Sequence, residues 1–155
     1  MRWDLEERTE DAIVSYLKTV VDGSIRVAAA WELNEPEYPC IIVHCGATTP
    51  VSDPAEWHDD RVLAVVVSVV TEALDELNAE GELIRKARER NADVRSSAMD
   101  ALAISDLKQK LVDQEIEAIA FSEAQLTTTA RPELVNNHFV GMLNIEVIAE
   151  PVTGS

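Results

Sequence analysis

Three histidines, two cysteines and a knot of carboxylates are the residues from which this chain could build chemistry. Nucleophilic catalysis needs a serine or cysteine within reach of a base, and the base needs an orienting group. His44 stands beside Cys45, but neighbours on a strand point to opposite faces, so the pair is kept apart. His138 could meet His44 only across a sheet, which spacing does not test. A solvated or core-satisfied role is the ordinary one for each of them, His58 included. Cys40 and Cys45 form a Cys-x4-Cys with no second pair. That is neither zinc-ligand spacing nor a disulfide framework, and it reads as two small buried thiols on a strand. No Gly-x-Gly-x-x-Gly and no Walker-type loop occurs, and five glycines leave little for a phosphate cradle.

The carboxylate knot is Asp53, Glu56, Asp59 and Asp60, with His58 among them. A calcium ion takes several oxygen ligands and such a loop could offer them, but the EF-hand spacing and its turn glycine are missing. The loop therefore reads as a solvated acidic one. Trp57 lies inside it, and an exposed tryptophan among polar residues marks a contact site. No catalytic residue, cofactor or metal ligand is assigned.

The bases are unevenly spread. Arg85, Lys86, Arg88, Arg90 and Arg95 fall in one stretch, while Arg61 and Arg131 stand nearly alone. Beside Glu82, Glu89 and Asp93, that stretch can be a solvated, salt-bridged helix face. A second use is a patch for an acidic neighbour, since head-to-tail contacts need unlike surfaces. Arg85, Lys86, Arg88 and Arg90, with Trp57, are the candidate subunit interface.

These residues are carried by 155 residues weighing 17.1 kDa, enough for one ordinary domain with a real core. Residues 1–150 read as that domain and 151–155 as a loose tail. Hydrophobic residues at 46% and charged residues at 27% describe a folded, soluble chain. Acids outnumber bases 29 to 13, for a net charge of −16, and a field of that sign repels phosphate backbones. The opening Met1-Arg2-Trp3-Asp4-Leu5-Glu6-Glu7 is charged from the start and is not expected to act as a signal peptide. Val62–Val70, the most apolar run, is about half a bilayer span, so a cytoplasmic protein is expected.

The elements follow from periodicity. Leu5, Thr9, Ala12, Ile13, Tyr16, Leu17, Val20 and Val21 recur at helical spacing and predict a helix over Asp4–Val21, stopped at Asp22-Gly23. Strands are predicted over Ile25–Trp31, Cys40–Cys45 and Arg61–Thr71, with a proline-bearing loop before the second and a loop over Gly46–Trp57. The valine-rich third strand demands burial on both faces, or burial on one and a partner on the other. Glu80–Leu102 predicts a helix with Leu83, Ile84, Ala87, Val94, Ala98, Met99 and Leu102 on its stripe. Ser105 would cap another, reaching Glu117. Ile119–Thr129 and His138–Ala149 predict a closing strand pair joined by a long turn over Arg131–Asn137. The order is α-β-β-β-α-α-β-β. The fold class is α+β, a mixed or mainly antiparallel sheet of about five strands packed on an N-terminal helix and a central helical segment.

This layout resembles the tail terminator (tail completion) proteins of long-tailed bacteriophages. The likeness lies in the opening helix Leu5–Val21, the strand entry Glu37-Tyr38-Pro39-Cys40-Ile41-Ile42-Val43, the strand Asp60–Val67 and the final Asn137–Glu150 strand. The helical stretch Glu80–Glu117 is longer than in compact members and leaves room for another neck, connector or minor tail protein. The resemblance implies a non-enzymatic virion protein assembled in the host cytoplasm. It would form a homo-oligomeric ring, hexameric in the family, at the head-proximal end of the tail. That ring would stop tube growth, join tail to head and contact tube and neck proteins. DNA would pass its lumen without sequence-specific binding, and an acidic lining suits that passage. No cofactor or membrane is implied. Two other classes stand beside it: a small carboxylate hydrolase, which a convergent pocket with a perturbed titratable pair would mark, and a small acidic protein-binding module.

Overall fold

A computed structural model describes residues 5–30, 37–50, 61–114 and 119–151. The apolar periodicity of the N-terminal segment yields helix α1 (Leu5–Val20). Strands β1 (Arg26–Ala29), β2 (Cys40–Pro50) and β3 (Arg61–Glu72) follow. A short hairpin, β4 (Glu76–Leu77) and β5 (Leu83–Arg85), leads into α2 (Ala87–Leu102) and α3 (Leu107–Val112). The chain closes with β6 (Ile119–Thr129), β7 (Glu133–Val135) and β8 (His138–Pro151). The architecture is α+β, with a mixed six-stranded sheet ordered β1-β2-β3-β8-β6 and β7 on β8. Only the β1–β2 pair of these is parallel.

The three helices cover one face of the sheet. Leu63, Val65, Val67 and Val69 of β3 and Leu143, Ile145 and Val147 of β8 point into that layer and are fully buried. They meet Ile13 and Leu17 of α1, Ala98 and Leu102 of α2, and Leu107 and Leu111 of α3. Alternation puts Val62, Val66 and Ile148 on the opposite face, where they are only half-buried. Of the two environments that the valine run demanded, burial on both faces is thus excluded.

Several boundaries differ from the sequence reading. The helix expected from Glu80 begins at Ala87, so Arg85 lies on a strand and Lys86 at the helix N-cap. A turn wins there. Asn78 accepts from the N–H groups of Glu80 and Glu82 through its side-chain oxygen, and Gly81 takes a φ of 80°. Such a conformation favours glycine, and the asparagine side chain offers the backbone an alternative to helix. Leu83, expected on the helical stripe, is exposed. The α2 N-terminus is capped instead by Asp75, whose Oδ1 accepts from Ala87 N–H at 2.8 Å. Asp106, not Ser105, occupies the α3 N-cap, without a side-chain bond, and the helix ends at Val112 rather than Glu117. The second strand runs on through Gly46–Pro50, predicted as loop. The expected long turn Arg131–Asn137 contains β7 and a two-residue turn, Asn136 and Asn137, both at positive φ. That is the backbone of a tight hairpin, and asparagine tolerates it.

Candidate functional site: a basic groove and a half-exposed sheet face

The first surface is a groove of about 630 Å³ between the first turns of α2 and the β6–β7 junction. Its formation can be followed residue by residue. Pro132 has no N–H, so the ladder along β8 breaks between Thr129, paired with Leu143, and Glu133, paired with Val140. The intervening Arg131 is released from the sheet edge and joins Lys86, Arg88 and Arg95 in lining the groove. Glu89 is the carboxylate of the lining, and Ala92, Pro132 and Phe139 supply apolar wall. Arg95 lies across β8 at Gly141, where a Cβ would come within 3.0 Å of its Cδ. Glycine at that point lets the arginine stem rest on the strand. Among the described residues, no hydrogen bond or ion pair holds Lys86, Arg88, Arg95 or Arg131.

Arg90 differs from those four. Its Nη2 donates to Glu72 O at 3.1 Å and Leu74 O at 2.7 Å, so it ties α2 to the end of β3. Next to it Asn91 is fully buried, with its amide nitrogen 3.0 Å from Phe139 O, 3.1 Å from Thr71 Oγ1 and 3.3 Å from Val69 O. Arg90 and Asn91 therefore serve the fold. Of the residues expected at a subunit contact, the structure brings Lys86 and Arg88 together on the groove and gives Arg90 a structural task. Arg85 sits on β5. Trp57 and the acidic loop Asp53, Glu56, Asp59 and Asp60 lie outside the described residues. Arg131, isolated in sequence, belongs with the cluster. Only the topology reveals that, because thirty-five residues lie between it and Arg95, and β8 is the element on which α2 and the β6–β7 junction both pack.

The second surface is the helix-free face of the sheet. Ile42, Val62, Val66, Val140 and Ile148 are half-buried there, and Met142 is exposed. Asn144 and Thr128 interrupt it with a 2.7 Å hydrogen bond.

Among the described residues, the groups considered for chemistry do not converge. His44 pairs in register with Val66, which pairs with Asn144, so His138 lies far along β8 and the two histidines do not meet. His138 stacks obliquely on Tyr38, ring centres 4.3 Å apart. Cys40 and Cys45 are unbridged and buried, as expected, and burial pushes the Cys40 thiol up to about 11. Among the described residues, no three His, Cys, Asp or Glu side chains gather to hold a metal ion. None of the described helices is long and apolar enough to cross a membrane.

One buried acid escaped the sequence reading. Glu10 of α1 is 5% exposed, and its Oε1 accepts from Cys45 N–H at 2.7 Å. The cause is the length of β1. It ends at Ala29 opposite Val43, so two residues further along β2 the edge has no strand beside it among the described residues. A carboxylate from the covering helix takes that place. His44 Nδ1 lies 3.8 Å from the same oxygen. Desolvation pushes the Glu10 carboxyl upward, and Asp11 and Glu7 add to that; the Cys45 N–H and His44 pull it back in part.

No family model and no curated protein matches the chain. Among solved structures, a chain of the virion of a native gene transfer agent (GTA) particle has the same fold. The match covers 91% of this chain and 93% of that one, at 13% identity and a TM-score of 0.53. At that identity the likeness is one of fold.

Proposed function

We propose that the chain is a non-enzymatic structural protein of a phage-like virion. Within that class we read it as a tail terminator, closing into a ring at the head-proximal end of the tail. The fold match to a chain of a gene transfer agent virion, near-complete over both lengths, carries this reading. The two surfaces support it. A ring subunit must present unlike patches to its two neighbours, and this one has a basic groove on an otherwise anionic body. The half-exposed valine face gives a further contact area for a tube or neck protein. In this role the protein uses no cofactor and catalyses nothing. Its net charge of −16 lets DNA pass a lumen without being held.

Light scattering and negative-stain microscopy of the purified chain test the reading. Closed rings are expected, with a mass of about 103 kDa if six chains of 17.1 kDa assemble. A chain that stays monomeric at high concentration, alone and with tail-tube protein, would refute it.

A further inference from the structure

The groove holds four cationic heads that no hydrogen bond or ion pair occupies among the described residues, and the placement of two of them opposes the helix they sit on. Lys86 is the N-cap residue of α2, Arg88 lies in its first turn, and no base lies in its last turn. The positive end of a helix dipole disfavours cations there, and helix stability alone would favour the reverse arrangement. A local rule broken without a compensating internal contact points to a demand from outside the molecule. Arg90 has such a contact, with the carbonyls of Glu72 and Leu74; Lys86, Arg88, Arg95 and Arg131 have none among the described residues.

We propose that the groove formed by Lys86, Arg88, Arg95 and Arg131 seats a carboxylate-bearing surface of a second copy of this chain. Charge complementarity selects that occupant. With four bases in the groove and one acid, Glu89, the rest of the chain keeps nine bases against twenty-eight acids. Any other part of a second copy is therefore anionic on average and complementary to the groove. Arginine favours this use, because its planar fork takes a carboxylate with two hydrogen bonds. Pro132 and Phe139 in the wall, with exposed Leu134 on the adjoining β7, add the apolar contact that charges alone do not give. A groove on one copy and acids elsewhere on the next make a head-to-tail contact, which can propagate until it closes. The proposal deepens the structural reading given above and rests on self-association.

The test is the double variant Arg88→Glu/Arg131→Glu, followed by sedimentation velocity beside the wild type. Both side chains are exposed and make no hydrogen bond or ion pair among the described residues, so far-ultraviolet circular dichroism, and the melting temperature at concentrations too low for association, should stay at wild-type values. Self-association is expected to weaken at least about tenfold, and Arg88→Gln/Arg131→Gln should fall between. The wild-type assembly should loosen as salt rises, because the contact is between opposite charges. The variant keeps its acidic surface, so mixed with wild type it should cap growing assemblies and shrink them. A variant that assembles like a wild type which itself assembles overturns the groove and leaves the virion reading standing. A wild type that never associates overturns both. Groove-dependent dimers without rings keep the groove and overturn the ring. If the substitutions abolish binding of a labelled DNA duplex and leave assembly unchanged, the groove serves phosphate and the proposal fails.

Discussion

Replacing Glu10 separates two effects that the structure couples: an acceptor that completes the edge of β2, and a charge held away from water. Glu10→Ala removes the acceptor from Cys45 N–H, a 2.7 Å bond in the buried layer. An unsatisfied buried donor costs about 1–3 kcal/mol. Glu10→Gln keeps an oxygen acceptor and discards the charge. The difference between the two variants holds the hydrogen bond together with the buried methylenes that alanine lacks, and the bond alone, at about 2 kcal/mol, lowers the melting temperature by about 4–8 °C for a chain of this size. The charge shows in the pH dependence. Burial raises the Glu10 carboxyl in the folded chain, so the folded state binds this proton more tightly than the unfolded state. Ionised Glu10 therefore subtracts from stability at neutral pH, and the deficit fades as pH falls through the raised value towards the unfolded one. The stability of Glu10→Gln relative to wild type should thus be highest near pH 7 and decline towards about pH 4. Comparison at each pH cancels the other twenty-eight acids of the chain. Thermal melts followed by circular dichroism read both quantities. Equal melting temperatures for the alanine and glutamine variants would refute the edge-capping role, and a pH-independent difference between glutamine and wild type would refute the buried charge.

Two further perturbations probe the core. Tyr16 donates its hydroxyl to Ala101 O at 2.7 Å, satisfying one of the carbonyls that the end of α2 leaves open. Tyr16→Phe should destabilise the chain by about 1–2 kcal/mol in urea titration with an unchanged m-value, and an unchanged midpoint would refute that assignment. Cys40 and Cys45 are 1% and 9% exposed, and the Cys40 thiol is pushed up to about 11. A thiol reagent at about pH 8 should label both only after unfolding, since the thiolate is the nucleophile; rapid labelling of the native chain would contradict the burial.

The parts of the fold that were legible in sequence are those whose pattern and environment agree. The β3 valines alternate between a helix-covered face and a half-exposed one, and both uses leave β-branched residues in a strand. Leu5, Thr9, Ala12, Ile13, Tyr16 and Leu17 were read onto the buried side of α1 and lie there. The hairpin before α2 is hidden in the sequence because Glu80–Arg90 is rich in helix formers. Asn78 and Gly81 fix a turn that propensity does not weigh. Arg131 could not be joined to Arg88 and Arg95 without knowing that β6 and β7 both lie on β8.

Glu10 is the instructive case, because a signal for it was present. It stands three, four and seven residues before Ile13, Val14 and Leu17, all buried, and so shares their row on the helix. A carboxylate in an apolar row must find a donor inside the protein, or lose its charge. The row therefore predicts that some backbone group beneath α1 lacks a strand partner, though not which one. The identity comes from the four-residue length of β1, which leaves the N–H of Cys45 beyond the last paired residue. Lys86 and Arg88 at the positive end of α2 are as locally unfavourable as an acid in an apolar row. Glu10 finds its counterpart within the chain; the groove cations are held by no described residue, and in the proposed contact their counterpart is a carboxylate of a second copy.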